Sequence, residues 1–344
     1  MATAYISDDP NLNEVVERVI ARLEGDGWTV IRGPKVTPGI PYRLSPEERA
    51  SLLCEADILV TSSRSRISGA DFDAALKLKG IIFPSIGVDA VDLEECAQRS
   101  LIVGHGPIPE NFEAMSESGI MFMLVLLYGL ETTKSLLRDN LPRPAQMHAR
   151  MLKGRTIGII GLGRIGGGVA ARLRGWGANI IAHDPYINAS QMDPSVEMMS
   201  IEALLRQSDV VSLHVPLSGE TRNLIAENEL RLMKQDAILI NTSRGGVIDE
   251  DALAKVMLEG HLGGVALDVF DPEPPRADNP LRSIDRVILT PHMVGHTRDL
   301  YDAMPEAVMA NIKRVMQGEL PLYTKNPEIE SAWRERLSRL DASV

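Results

Sequence analysis

Apolar and polar positions alternate in two rhythms along the first hundred residues. Short aliphatic runs at 4–7, 28–32, 57–61, 80–84 and 101–104 predict strands. Segments with apolar residues at helical spacing, at 11–24, 45–54 and 93–99, predict helices. This alternation implies a parallel sheet covered by helices. Residues 33–46 read as the one long Pro-rich loop, and Gly104-His105-Gly106-Pro107-Ile108-Pro109 as a hinge, since that run admits no regular structure. A long apolar helix is predicted over 113–138, ended by Leu141-Pro142-Arg143-Pro144. A second alternation begins at Thr156, with strands at 156–160, 180–183, 210–213, 237–241, 264–268 and 287–290. Six strands is the count of a dinucleotide fold built from two halves. A helix over 300–317 and a Pro-rich tail complete the pattern.

The pattern predicts an α/β fold of two Rossmann-like or flavodoxin-like domains with parallel sheets and a cleft between them. A chain of 344 residues has room for two cores. The substrate-binding domain would be discontinuous, 1–106 and 297–344, with a dinucleotide domain at 107–296. A net charge of −11 argues against nucleic-acid or anionic-membrane partners, which call for a basic face. Cys54 and Cys96 have no ligand-spaced neighbours, so they read as reduced thiols of a cytoplasmic protein, and no metal site is predicted. The N-terminus lacks the pattern of a signal peptide. The longest apolar run, 119–130, is too short to span a bilayer.

Gly161-Leu162-Gly163-Arg164-Ile165-Gly166 directly follows the run 156–160, and Asp184 closes the next run, 18 residues past the last glycine. In that setting Gly161 permits a tight turn, Gly163 lets the backbone approach a pyrophosphate, and Gly166 lets a helix pack on the strand. The pyrophosphate would rest on the helix N-terminus. Asp184 would accept hydrogen bonds from both adenosine ribose hydroxyls and repel a 2′-phosphate, which points to NAD rather than NADP.

A bound NAD needs a proton donor or acceptor for the substrate and a cation to hold and polarise it. Three segments that follow strands carry such groups: Asn241–Gly246, Asp268–Pro274 and Thr290-Pro291-His292. Arg244 offers a planar fork for a carboxylate or keto oxygen, the alternative being a surface arginine in a capping turn. Histidine titrates near neutrality, which suits His292 for proton exchange, the alternative being a structural imidazole. Glu273 could orient it, although Asp271 and Glu273 sit in a Pro-rich loop where acids are commonly solvated.

Together with Leu213-His214-Val215-Pro216-Leu217 and Val247-Ile248-Asp249, these motifs resemble, in order and spacing, the D-isomer-specific 2-hydroxyacid dehydrogenases, a group that includes glyoxylate/hydroxypyruvate reductases and phosphoglycerate dehydrogenases. The match is dense from about 153 to 296 and looser before, where Ser85-Ile86-Gly87-Val88-Asp89 resembles the family's substrate loop. The resemblance implies NAD-dependent interconversion of a 2-keto acid and a D-2-hydroxy acid. His292 would be the general acid or base, Glu273 its partner, and Arg244 the ligand of keto oxygen and carboxylate. N–H groups of Ile86 and Gly87 would take the carboxylate. Arg164 and Ile165 would lie against the pyrophosphate and Asp268 against the nicotinamide carboxamide. His214, Val215, Pro216, Thr221, Thr242, Ser243 and Gly295 would complete the cofactor seat.

Departures occur at His292-Met293-Val294-Gly295-His296-Thr297, where small residues are usual, and at Met115-Ser116-Glu117, where a Val-Ala pair usually precedes the glutamate. His296 reads as a domain-boundary residue ahead of a substrate ligand. Arg64 and Arg66 read as solvated cations, the alternative being ligands of a phosphorylated or second-carboxylate substrate. A small 2-keto acid is the expected substrate. Alternatives are an NAD(H)-sensing, corepressor-like interaction protein, a phosphoglycerate-type dehydrogenase, or an enzyme of the formate or phosphite dehydrogenase kind. Excess apolar surface at 119–130 predicts a homodimer.

Overall fold

The computed structural model describes residues 1–342 except 38–39, 63–64, 147–148 and 188–192. The predicted cation Arg64 lies outside the described residues. In chain order the elements are β1 Thr3–Ile6, α1 Asn13–Gly25, β2 Thr29–Arg32, α2 Pro46–Leu52, β3 Ile58–Val60, α3 Gly69–Ala74, β4 Gly80–Ile82, α4 Leu93–Gln98, β5 Ile102–Gly104, α5 Pro109–Tyr128 and α6 Leu130–Arg138. There follow β6 Thr156–Ile160, α7 Arg164–Leu173, β7 Asn179–His183, β8 Val196–Met198, α8 Ile201–Gln207, β9 Val210–Leu213, α9 Glu227–Leu232, β10 Ile238–Asn241, α10 Glu250–Leu258, β11 Gly264–Leu267, β12 Val287–Leu289, α11 Arg298–Met316 and α12 Glu330–Asp341. Two units divide them: Met1–Glu110 with Thr297–Val344, and Asn111–His296.

The first unit holds a five-stranded sheet in the order β2-β1-β3-β4-β5, every pairing parallel. This is the flavodoxin-like order. Its central strands are buried along their whole length, so they read as unbroken apolar runs. On α1 the apolar stripe Val15, Val16, Val19, Ile20 and Leu23 is buried, each side chain worth roughly 1.5–3 kcal/mol. Ser45 and Glu48 form a capping box on α2, and Asp92 caps α4.

The second unit holds a seven-stranded sheet in the order β12-β11-β10-β9-β6-β7-β8, again wholly parallel. The strand order reverses between β6 and β9. In an open α/β sheet that switch point is where ligands bind, at the carboxyl ends of the strands.

The sheet has seven strands where six were expected. The additional one, β8, has three residues on the sheet edge, with exposed Glu197 in the middle, too short for a period to register. The expected single helix over 113–138 is two, starting earlier at Pro109 and broken at Gly129, whose φ is 58°. A left-handed residue ends a helix, and here the axis turns by 56°. The tail carries α12, whose Trp333 is fully buried and donates from Nε1 to the Lys79 carbonyl at 2.7 Å. Among the described residues no single helix is long and apolar enough to cross a membrane; α5 and α6 meet both conditions only together, as a bent pair.

Candidate active site

The turn from β6 into α7 lies at the switch point. Gly161 has φ 91°, open to glycine at little cost, and a Cβ there would meet the His214 carbonyl oxygen at 2.6 Å. A Cβ on Gly166 would overlap the Gly161 carbonyl, whereas one on Gly163, at the N-cap of α7, would meet nothing within 4 Å. The first is a packing glycine and the second borders open space. Asp184 Oδ2 accepts from the Leu162 N–H at 2.9 Å, which ties the carboxylate at the end of β7 to the glycine turn, and Oδ1 accepts from Tyr186 N–H.

Beside this turn, α5 makes contacts that the sequence alone did not suggest. The Arg164 guanidinium lies 4.9 Å from the centre of the Phe112 ring, and Ser116 Oγ donates to the Ile165 carbonyl at 3.0 Å. At the end of β9, burial pushes His214 down to about 4, so its imidazole is neutral at physiological pH; its Nε2 is 2.9 Å from Ser212 Oγ. Val215 packs on the glycine turn, its Cγ1 2.9 Å from where a Gly161 Cβ would stand. Thr221 Oγ1 donates to the Pro216 carbonyl at 2.6 Å and accepts from Ser218 N–H, so this hydroxyl staples its own loop.

The segment after β10 is shaped by Asn241, the first residue of its motif. Its Oδ1 accepts from Ser243 N–H and Oγ, and its Nδ2 donates to the Arg244 carbonyl at 2.9 Å. Arg244 is half-buried and donates from Nη1 to the Ser243 carbonyl. A Cβ on Gly245 would overlap the Phe270 carbonyl, and one on Gly246 would come within 3.0 Å of Asp271 Oδ2. The Arg244 turn is thus packed against the run that carries Glu273.

Asp268, buried at the end of β11, is the hub of the next loop. Oδ1 accepts from Thr290 Oγ1 at 2.7 Å, Met293 N–H at 2.9 Å and Val294 N–H at 3.2 Å. Burial holds its carboxyl above the usual carboxylate range, against those hydrogen bonds. Between two of its donors stands His292, with φ 55°, a left-handed conformation that a histidine adopts at a cost. His292 Nδ1 is 2.7 Å from Glu273 Oε1. A carboxylate only accepts, so Nδ1 carries the proton and the neutral ring keeps Nε2 as an acceptor, a tautomer inferred from the hydrogen bond. Beyond it, Ser118 of α5 donates to the Val294 carbonyl at 2.9 Å, and Met115 fills the place a Gly295 side chain would need. The His296 N–H donates to the Met293 carbonyl.

In the first unit, the loop after β4 is held by groups of the hinge segment and by its own Ser85. His105 Nδ1 donates to the Ile86 carbonyl at 2.9 Å, Gly106 N–H to the Ser85 carbonyl, and Ser85 Oγ to the Gly87 carbonyl. Arg66 Nη1 donates to the Asp89 carbonyl at 2.9 Å, a structural use of a cation considered above as solvated or substrate-binding. The N–H groups of Ile86 and Gly87 make no hydrogen bond among the described residues, so both remain available as donors.

Residues 120–294 match the model of the D-isomer specific 2-hydroxyacid dehydrogenase NAD-binding domain. The chain belongs to that family. It is 38% identical over 301 residues to a D-3-phosphoglycerate dehydrogenase of Methanocaldococcus jannaschii, covering 86% of this chain but only 56% of that protein. It is 36% identical over 291 residues to a glyoxylate reductase of Thermofilum pendens, covering 83% and 86%. Among solved structures it resembles D-lactate dehydrogenase of Aquifex aeolicus complexed with NAD and lactic acid, with a TM-score of 0.78, 26% identity, and 92% and 96% of the two chains covered.

NAD is the cofactor of this family's domain, and the residues present fit it. The open space at Gly163 would let a pyrophosphate approach the backbone. Thr242, 7% exposed, buries an Oγ1 with no hydrogen-bond partner, a hydroxyl that calls for a ligand. Among the described residues no group of three or more His, Cys, Asp or Glu side chains is placed to hold a metal ion.

Proposed function

We propose that the chain interconverts a small 2-keto acid and the corresponding D-2-hydroxy acid with NAD, the unit Asn111–His296 holding the cofactor and the other the substrate. The observation that carries this reading is the 2.7 Å contact between His292 Nδ1 and Glu273 Oε1, at a residue whose strained backbone is held by Asp268. Bound NAD supplies the hydride carrier. The chain's own groups do the rest. In reduction, protonated His292 gives its Nε2 proton to the nascent alkoxide, and Glu273 stabilises the imidazolium before transfer. In oxidation neutral Nε2 takes the hydroxyl proton. Arg244 holds the carboxylate and polarises the keto oxygen with a fork that a lysine lacks. The N–H groups of Ile86 and Gly87 are donors for the carboxylate.

Asp184 favours NAD over NADP, with Arg164, Ile165, His214, Val215, Pro216, Thr221, Thr242, Ser243, Asp268 and Gly295 around the cofactor. Both named relatives fit a 2-hydroxy-acid substrate, and the match covers 86% of the glyoxylate reductase against 56% of the phosphoglycerate dehydrogenase. We place the protein in the cytoplasm, on its two free cysteines, and as a homodimer. No observation favours the sensor reading.

The test is a panel of glyoxylate, hydroxypyruvate, pyruvate, longer 2-keto acids and 3-phosphohydroxypyruvate with NADH and NADPH. Turnover of at least one unphosphorylated acid with NADH is expected, and His292→Ala should lower kcat by roughly two to four orders of magnitude with NADH affinity kept. Full turnover by that variant, or NADH binding without turnover of any acid by the native chain, would overturn the reading.

A further inference from the structure

The loop that presents Glu273 is tied down at both ends by one side chain that the reaction itself does not use. Glu250 is the first residue of α10, directly after its N-cap Asp249. Its Oε1 accepts from the Asp271 N–H at 2.7 Å and its Oε2 from Asn279 Nδ2 at 2.9 Å. Those donors bracket the segment 271–279. Asn279 is itself fixed, since its Oδ1 accepts from the Leu281 N–H at 3.0 Å and its amide cannot turn over without losing that bond.

Beside the clamp lies a cavity of about 250 Å³, lined in part by Asp249, Glu250, Asp251, Asp271, Arg276 and Asn279. On that side the loop borders open space instead of a packed core; Arg282 donates to the Arg276 and Pro275 carbonyls in its middle, each at 3.0 Å, and the Glu250 hydrogen bonds hold its two ends. We propose that Glu250 is a positioning residue for catalysis, holding the 271–279 loop so that Glu273 meets His292 Nδ1. The proposal rests on the catalytic reading of His292 given above.

Charge around the clamp fits a hydrogen-bonding role. Asp249 and Asp251 flank Glu250 on its own helix, Asp271 and Arg276 face it from the loop, and Asp271 is paired with Arg222 at 3.0 Å. Burial pushes the Glu250 carboxyl up from its ordinary range, while its two donors oppose that shift. A partly buried acid among other acids persists because both its oxygens are engaged.

The polarity of the clamp can be reversed. In Glu250→Gln the amide Oε1 can still accept from Asp271 N–H, but its NH2 faces the NH2 of Asn279. In Asn279→Asp two carboxylates face each other. With both substitutions in one chain, the new amide at position 250 donates to one oxygen of the new carboxylate at position 279. The other oxygen of that carboxylate still accepts from Leu281 N–H, and the bracket closes again. Each single variant should lower kcat for keto-acid reduction about tenfold or more, with KM for NADH within about twofold, because displacement far from the reacting atoms acts on turnover. Loosened Glu273 stabilises the imidazolium less, so the alkaline limb of the kcat profile should move to lower pH. The double variant should recover most of kcat and the native limb, a strongly non-additive result.

Single variants with native kcat and pH profile, even if less stable, would overturn the proposal, as would a double variant no better than the worse single. Failure of the catalytic reading is distinguishable, because it appears as turnover retained in His292→Ala. The clamp also has a readout that needs no turnover: amide hydrogen exchange at Asp271 should accelerate in Glu250→Ala, and unchanged protection there would overturn it.

Discussion

His214 shows how one half-buried imidazole ties stability to pH. Burial holds it down to about 4, while an unfolded histidine titrates near 6.5. Between those values the unfolded chain binds the proton and the folded one does not, so this residue makes stability rise with pH from about 4 to about 6.5 and adds nothing above. Across the whole window the effect is on the order of 3 kcal/mol. The expected outcome is that His214→Gln narrows the gap between urea midpoints at pH 5 and pH 7.5. An identical gap in variant and native protein would show that other groups set the acid limit. The sequence names His214 as part of the seat but carries no trace of this neutrality, which depends on the sheet and on α5 packed around it. Asn241, His105 and Glu250 are equally silent in sequence. Each works by bonding backbone or side-chain groups whose nearness only the fold creates, whereas the glycine motif and Asp184 announce themselves because the turn, the helix start and the next strand are contiguous.

At the scale of elements, the β6-turn-α7 unit contains two glycines that do different things. Gly166 is required by packing, since a Cβ would run into the Gly161 carbonyl, and a backbone atom cannot swing aside. Gly163 has φ −61°, which alanine tolerates, and free space in front of it. Gly166→Ala should therefore cost about 1–3 kcal/mol or more of stability, by overpacking, and weaken NADH binding with it. Gly163→Ala should leave the urea midpoint nearly unchanged and weaken NADH binding alone. Paired denaturation and NADH fluorescence titrations separate the two, and equal stability losses would show that the space at Gly163 is not reserved for a ligand.

The same scale explains which elements were legible. Strands β6, β9 and β10 are apolar runs buried along nearly all their length, and α1 has a regular stripe. The short edge strand β8 and the charged helix α12, whose sequence ESAWRERLSRLD buries only Trp333 and Leu337, offer no such period. The break at Gly129 was hidden because Leu130 extends the apolar run one residue past it and a second helical segment follows without a proline.

Over the whole molecule, α6 is, with the shorter α2, a described helix that buries none of its residues. Yet its Leu130 and Leu137 are apolar and exposed, Leu137 at 85%. Tyr128, Leu141 and Met151, close to it in sequence, are exposed as well. A helix with an apolar stripe and no core to bury it calls for a covering surface. A second copy is the simplest cover, since a twofold interface applies the same patch to itself. A chain with net charge −11 repels its copy, so apolar contact must carry such an interface and raised salt should strengthen it. At micromolar concentration, sedimentation velocity should report twice the 37.6 kDa of one chain. Leu137→Asp, which buries a charge in the dimer and touches no core in the monomer, should shift that mass to a single copy while leaving far-ultraviolet circular dichroism unchanged. A native protein already monomeric under those conditions would leave α6 to some other cover and reject the dimer.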